Sequence, residues 1–329
     1  MLSLIIMANL NVVVVGPVEY ASGLGKKSTA TDITFYDVKQ GETTLTIVEA
    51  TKYPEKLAPL FYATSMADLA VLVVESIDYI LGESILMLDA VGLRKGFVVL
   101  RNYLQEAQVL PLTKGTVVEG YEFFKDDPVA LKMRLLEIAE SRTEEIEKAK
   151  ASASGTVPID HHFDVKGVGT VVLASVAEGM VRKHDKMRVM PGGKTAEVRS
   201  VQKHDDDFDW AVKGDRVGLA LRGVSNTELD RGMVLTTDTA VKESAALVGE
   251  AQLVKYWPSP LKEGMVLHIG HWMQLSPARV EGAEPQTDWK KVKLRLSFEK
   301  PFVHAPGARV VVTYLEGGKL RVAGTMRLD

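Results

Sequence analysis

The sequence predicts a multidomain α/β plus β protein, in which one parallel-sheet domain is followed by two β-barrels. Three observations carry this. Between Leu10 and Glu147 short apolar runs alternate with helical patterns, as in a parallel sheet with crossover helices. A small-residue stretch, Ala151 to Gly155 (ASASG), then ends the helical text and marks a boundary. Beyond it come short strand-like segments punctuated by Gly and Asp, which without intervening helices argue for closed barrels. The expected domains are residues 1–155, 156–241 and 242–329.

In the first domain the expected strands are NVVVVG (11–16), LTIVEA (45–50), LAVLVVES (69–76) and GFVVLRN (96–102). Glu55 to Met66 has helical spacing and crosses between the second and third. Ala130 to Lys150 reads as one amphipathic helix, with Leu131, Leu135, Ile138, Arg142 and Ile146 stepping along it. The first barrel is expected from VGTVVLASV, KMRVMP, TAEVRSVQ, RVGLALRG and MVLTT. The second is expected from EAQLVKYW, MVLHIGHW, QLSPARVEG, KVKLRLSF, ARVVVTYL and LRVAGTMRL.

The 329 residues suffice for two or three domains of roughly 100 to 200 residues, each with its own core. Hydrophobic residues at 46% and charged residues at 25% argue against disorder and against a membrane span. The lack of cysteine removes disulfides and thiolate metal sites, and it fits a reducing, cytoplasmic setting. Met1 to Met7 are apolar but have no basic start or cleavage site, so Met1 to Ile6 read as a start-site extension. The first 155 residues carry six more acids than bases, whereas residues 242–329 carry four more bases than acids. That basic excess suits a polyanionic partner, although a solvated basic face would look the same.

Asn11 to Ser28 (NVVVVGPVEYASGLGKKS) reads as a buried strand entering a phosphate loop of the form GxxxxGK[ST]. Counting from Gly16, the second Gly and the Lys fall at Ala21 and Ser22, so the loop lacks its charge. A displaced substitute follows at Gly25-Lys26-Lys27-Ser28-Thr29, and Gly16, Lys26, Lys27, Ser28 and Thr29 are therefore the residues that would hold GTP and magnesium in a working variant.

Other groupings admit plainer readings. His161 and His162 lie beside Asp160 and Asp164, and His204 precedes Asp205, Asp206, Asp207 and Asp209. Adjacent residues on a strand face opposite ways, and an acidic run between strands is usually a solvated hairpin loop, so no metal site is expected. Trp257, His268, His271 and Trp272 either stack on RNA or belong to a barrel core. No Ser-His-Asp order, HExxH motif or paired catalytic carboxylates occur.

The segments GTVPIDHHFDVKGVGTVVLASVAEG (155–179), KTAEVRSVQ (194–202) and GDRVGLALRGV (214–224) resemble translational GTPases of the elongation factor Tu family. LGKKSTATDITFYD (24–37) and LTIVEATKYPEKLAPLFYATSMADLAVLVVE (45–75) are most similar to archaeal factors related to the selenocysteine-specific elongation factor. The resemblance implies a P-loop GTPase-like first domain. It also marks losses. The family's Asp-x-x-Gly is Glu49-Ala50-Thr51-Lys52, the following His is Tyr53, and the guanine-reading Asn-Lys-x-Asp is Asn102-Tyr103-Leu104-Gln105. Thr31, Asp32 and Thr34 are either remnants of a switch segment or a turn before a strand.

The resemblance further implies a pocket for the aminoacyl end of tRNA at Asp160, His161 and Arg216, where the family's Asp-Arg pair has become Asp160-His161; Asp160 and Arg216 could equally form a barrel-stabilising ion pair. Lys290, Lys291 and Lys293 in the basic last domain are the expected RNA contacts. The resulting expectation is an elongation factor-like protein that binds aminoacyl-tRNA, the ribosome or both, without hydrolysing GTP and without a cofactor. A GTPase using the displaced loop and a protein-interaction scaffold are the alternatives, and neither DNA nor a membrane is an expected partner.

Overall fold

The computed structural model describes residues 8–286 and 288–329; the extension expected at Met1 to Ile6 lies outside them. The chain begins with β1 (Ala8–Val15), β2 (Lys26–Ala30), β3 (Thr34–Gln40) and β4 (Thr43–Glu49). It continues through α1 (Ala58–Ser65), β5 (Leu69–Val74), α2 (Tyr79–Val91), β6 (Gly96–Leu100), α3 (Glu106–Thr113), β7 (Glu122–Phe124), α4 (Pro128–Glu140) and α5 (Thr143–Lys150). The seven strands form one sheet in the order β2-β3-β4-β1-β5-β6-β7, parallel from β4 to β7 and antiparallel at the β2-β3-β4 end.

The fully buried β1 alternates between two cores, as a period of two requires. Val13 and Val15 pack with Leu60, Phe61, Ile85 and Leu88 of α1 and α2. Val12 and Val14 pack on the other face with Leu131, Leu135 and Leu136 of α4. The connection from β1 to β2 contains only a single 3-10 turn, Tyr20–Gly23, so α4 covers the face that a helix following β1 would otherwise take. The single helix expected over 130–150 is two. The chain turns at Ser141 and Arg142, whose guanidinium leaves the helix line to bind Asp68 (2.8 and 3.2 Å) and the Asn9 carbonyl (2.9 Å).

Strands β8 (Gly155–Val165), β9 (Gly169–Ser175), β10 (Glu178–Arg182), β11 (Lys186–Met190), β12 (Lys194–Lys203), β13 (Asp206–Phe208), β14 (Trp210–Val212), β15 (Arg216–Arg222) and β16 (Val234–Thr236) build the first barrel. Pairing in the order β8-β16-β11-β12-β15-β9 closes on itself through β8 and β9, with β10, β13 and β14 as side ribbons. The acidic run expected as a loop contributes a strand instead, because the turn needs only His204 and Asp205, both left-handed (φ 48 and 69). The second barrel closes as β17-β20-β19-β18-β21-β22, from β17 (Lys242–Leu253), β18 (Val266–His271), β19 (Gln274–Pro285), β20 (Lys291–His304), β21 (Arg309–Thr313) and β22 (Val322–Leu328). Among the described residues no helix is long and apolar enough to cross a membrane.

Side chains weld the three units together. Asn9 and Asn11 on β1 each donate to the Gly214 carbonyl at 2.7 Å. Gly270 of the second barrel lies so close to α1 that a Cβ would sit 2.5 Å from the Phe61 ring. Glu83, an acid within the apolar run of α2, is 1% exposed and accepts from Arg321 Nη2 (2.5 Å), Nε (3.1 Å) and the Arg321 backbone N–H (2.9 Å). Removing one partner of such a buried pair strands the other charge, at a cost of about 3–5 kcal/mol. Arg321→Ala should therefore lower unfolding stability by several kcal/mol in urea titrations; a change within about 0.5 kcal/mol, the range of ordinary surface substitutions, would show that the pair is not structurally important.

Candidate functional site

Parallel sheets of this kind bind ligands beyond the C-terminal ends of their strands, next to the strand where the winding reverses, which here is β1. Gly16 follows β1 with φ +155, and a Cβ there would meet the Val73 carbonyl at 2.5 Å, so the chain hugs β5. The next turn offers backbone N–H groups, as a phosphate loop does, but they are taken. Glu49, the last residue of β4, is 3% exposed. Its Oε1 accepts from the Ala21 N–H at 2.7 Å, and its Oε2 accepts from the Glu19 N–H and the Tyr36 hydroxyl, both at 3.1 Å. Burial pushes the Glu49 pKa above its ordinary value despite these donors, and burial beside Glu49 pushes Tyr36 up to about 12. The space left under Gly16, Pro17 and Glu49 is only about 10 Å³, barely one water.

Neighbouring positions are committed as well. Tyr53 is buried, donates to the Ile80 carbonyl at 3.1 Å and has its pKa raised by burial. Arg101, at the end of β6, binds Glu75 (2.6 Å) and Asp126 (3.0 Å), and Asp126 also accepts from the Tyr20 hydroxyl at 3.0 Å. Tyr103 stands 99% exposed.

The residues of the displaced loop are not brought together. Lys26, Lys27, Ser28 and Thr29 lie in β2, a strand at the sheet edge hydrogen-bonded to β3, whereas Gly16 ends β1 three strands away. The loop expected there is thus a strand, since the Lys-Lys-Ser-Thr-Ala run alternates faces beside β3. It forms one wall of a groove of about 660 Å³ against the first barrel, with Lys39, Gln202, His204 and Arg216 opposite or beside it.

The structure does bring Asp160, His161 and Arg216 together. Asp160 is buried, and both its oxygens accept from the Arg216 guanidinium, Oδ1 at 2.9 Å. His161 Nδ1 meets Oδ1 at 2.5 Å, and its Nε2 reaches the Thr31 hydroxyl at 3.1 Å. Burial alone would raise the Asp160 pKa, but Arg216 and His161 together hold it below its ordinary value. Arg216 also lies over the Phe35 ring, 4.2 Å from its centroid. Arg231 completes the cluster, donating to the Asp160 carbonyl (2.9 Å) and with one nitrogen to both oxygens of Asp32 (2.9 and 2.8 Å). The cluster is therefore an interdomain junction as well as a groove wall. Arg231 carries no sequence signal, since an Arg in an Asp-Arg-Gly turn reads as solvated.

His162 turns to Asn226 (2.6 Å), away from His161, and no metal-ligand group of three or more is present among the described residues. Trp257 is buried in the core of the second barrel, whereas His271 is half-buried at the end of β18, where burial lowers its pKa to about 4. Lys291 and Lys293 point outward from β20, and the Lys290 ammonium lies at the Lys255 carbonyl, 5.1 Å from the Trp289 ring centroid. The lysines expected to contact RNA stand among acids. Lys293 faces Glu250 on one side and Glu284 on the other, with Asp329 3.9 Å away, because cross-strand register interleaves acids with the lysines.

Residues 169–236 match the family Elongation factor Tu domain 2. An uncharacterized protein of Methanocaldococcus jannaschii is 34% identical over 324 residues, covering 98% of this chain and 100% of that protein. The selenocysteine-specific elongation factor of the same organism is 36% identical over 125 residues, covering 38% of this chain but only 27% of that factor. The fold matches translation elongation factor SelB from Methanococcus maripaludis, solved with a GTP analogue, with a TM-score of 0.77 at 21% identity over 98% of this chain and 79% of that one. A parallel-sheet domain with two six-stranded barrels, this full-length relative and the barrel match together show that the chain belongs to the elongation factor Tu and selenocysteine-specific elongation factor-like family.

Proposed function

We propose that this translation factor-like chain binds aminoacyl-tRNA or the ribosome, in the cytoplasm, without coupling that binding to GTP hydrolysis. The observation that carries the nucleotide half is the Glu49 carboxylate on the Glu19 and Ala21 N–H groups. A γ or β phosphate needs those donors, a lysine and a following helix N-terminus. Here the donors serve an internal anion, position 22 is Ser22, and only one 3-10 turn follows. Magnesium would likewise lack the Asp-x-x-Gly carboxylate, because Glu49 is turned onto the loop.

The groove between β2 and the first barrel supports the RNA half. Lys26 and Lys27 are exposed on one wall, and Arg216 stands on the other with Asp160 and His161 behind it. An acceptor end entering there meets cations for its phosphates and His161 near its terminal group. Arg216 is committed to Asp160 and Phe35, and His161 holds Asp160 through Nδ1 and Thr31 through Nε2, so an acceptor end would engage His161 by displacing Thr31.

Three outcomes test this reading. First, 1 mM GTP with magnesium should stabilise the chain by no more than about 0.4 kcal/mol, the value for a dissociation constant near 1 mM. Micromolar GTP affinity abolished by Lys26→Ala with Lys27→Ala would instead establish a working GTPase site. Second, Glu49 has a folded pKa above its unfolded value of 4.5, so its contribution to stability is present in full below that value and is lost as pH rises through the folded pKa. Glu49→Gln should flatten this slope above pH 4.5, while costing about 1–3 kcal/mol because one loop N–H then meets an amide donor. Third, tRNA affinity should fall with salt at a log-log slope of roughly −0.7 to −0.9 per phosphate contact. Reversing Lys290, Lys291 and Lys293 to Glu should weaken binding by about tenfold or more and flatten that slope. His161→Ala should mainly reduce discrimination between charged and uncharged tRNA. Unchanged affinity and salt slope in the triple reversal would remove the second barrel from the RNA interface.

A further inference from the structure

Three loops leave the C-terminal ends of adjacent parallel strands, at residues 16–19 after β1, 75–78 after β5 and 101–105 after β6. Strands in a sheet lie about 4.8 Å apart, so these loops form one continuous rim. Two bonds tie it: the Arg101 N–H donates to the Val74 carbonyl (2.9 Å), and the Asn102 amide donates to the Glu75 carbonyl (3.2 Å). Between the first two loops opens a groove of about 260 Å³, walled by Val15, Val18, Tyr53, Pro54, Ile80 and Leu81. Apolar side chains stand exposed along the rim, Val18 by 52%, Ile77 by 45% and Tyr103 almost wholly.

The charge around this groove is the reverse of what a polyphosphate requires. The charged side chains lining it are Glu75 and Asp78, with Glu19 on the adjoining loop. Arg101 is the one cation on these three loops, while Lys52 and Lys56 flank the Tyr53-Pro54 wall, whose Pro54 carbonyl accepts from Arg321 (3.1 Å). Arg101 is itself neutralised by Glu75 and Asp126. RNA is repelled for the same reason. Asn102 and Tyr103 both hold the left-handed backbone (φ 53 and 62) without glycine, a conformation that non-glycine residues avoid, and the result is a tyrosine ring held in water. Tyrosine is among the residues that most often anchor protein interfaces.

We propose that this rim docks a partner protein through a segment that sets a lysine or arginine beside an aromatic or aliphatic side chain. The apolar side chain enters the groove between Val18 and Tyr53, Tyr103 packs over it, and the cation faces Glu19 and Asp78. The inference rests on the reading that the crevice holds no nucleotide.

A phage-displayed library of random dodecapeptides, selected on the immobilised full chain and counter-selected on a Val18→Asp, Tyr103→Ala variant, tests it. Both substituted side chains are exposed, and circular dichroism melts verify that the variant folds. The expected result is enrichment of peptides combining Lys or Arg with Trp, Tyr, Phe or Leu. Synthesised with a fluorescent label, these should lose at least tenfold in affinity on the double variant and at least threefold on Glu19→Lys, should bind more weakly as salt rises, and should be indifferent to 1 mM GTP. Failure to enrich any peptide, enrichment of acidic ones, or equal binding to the wild type and double variant overturns the docking site alone. Micromolar GTP binding that displaces the peptides overturns the nucleotide-free reading with it.

Discussion

Glu49 stands where sheet, loop and neighbouring strand meet, and much of the first domain's form follows from satisfying it. A buried carboxylate is tolerated only when its lone pairs find donors, and the donors within reach are the N–H groups of the β1 loop and the Tyr36 hydroxyl on the adjoining strand. Bound in this way, the carboxylate draws the loop inward and fixes its turn. It also lets β2 and β3 run on as an ordinary antiparallel edge, where a mobile nucleotide-sensing segment would have to keep its backbone free. The order of the β1 loop is thus imposed by a covalently attached group, which cannot leave.

The same logic holds between domains. Glu83 with Arg321, Asp32 with Arg231, and Thr31 with His161 join the first domain to the two barrels through segments around β3, α1 and α2. Buried ionic contacts add little net stability compared with well-packed apolar ones, but they penalise every arrangement that separates the partners. Together with the fit of Gly270 against Phe61, they select one relative placement of the three units. In this placement a groove of about 660 Å³ lies between β2 and the first barrel.

Much of this was legible in the residues because it depends on local pattern. The apolar runs of β1, β4, β5 and β6 and the six strands of the second barrel repeat with strand periodicity, and periodicity survives whatever the tertiary context. The resemblance singled out Asp160 and Arg216, and their pairing was one of the two readings open for them. What escaped depended on distant partners. Arg142 fits a helical face, yet it turns away to bind Asp68, which splits the helix. Lys26 to Ala30 look like a loop until β3 supplies hydrogen bonds. Lys293 looks like part of a basic stripe until Glu250 and Glu284 take their places beside it. Glu49 was visible only as a departure from a motif, since nothing local announces that a carboxylate will fold back onto a loop 28 residues earlier. Glu83 did carry a signal, since it falls within the apolar 80–88 stretch of α2, where an acid that turns inward calls for a paired cation.

The way α4 lies on the sheet bears on what the β1 loop could become by substitution. Leu131, Leu135 and Leu136 fill the surface over Val12 and Val14 that a helix emerging from the β1 loop would need, and Ala21 and Leu24 are packed into the same core. Back-mutation of Ala21 and Ser22 to glycine and lysine would restore letters but not the space for the missing turns of helix, and it would push a cation toward a layer of leucines. A P-loop helix after β1 would need an inserted segment, a displaced α4 and a replaced Glu49 together, because the space and the loop N–H groups are occupied. On the nucleotide-free reading proposed above, packing acts as a ratchet, since each of these changes alone would disturb a core that is already filled.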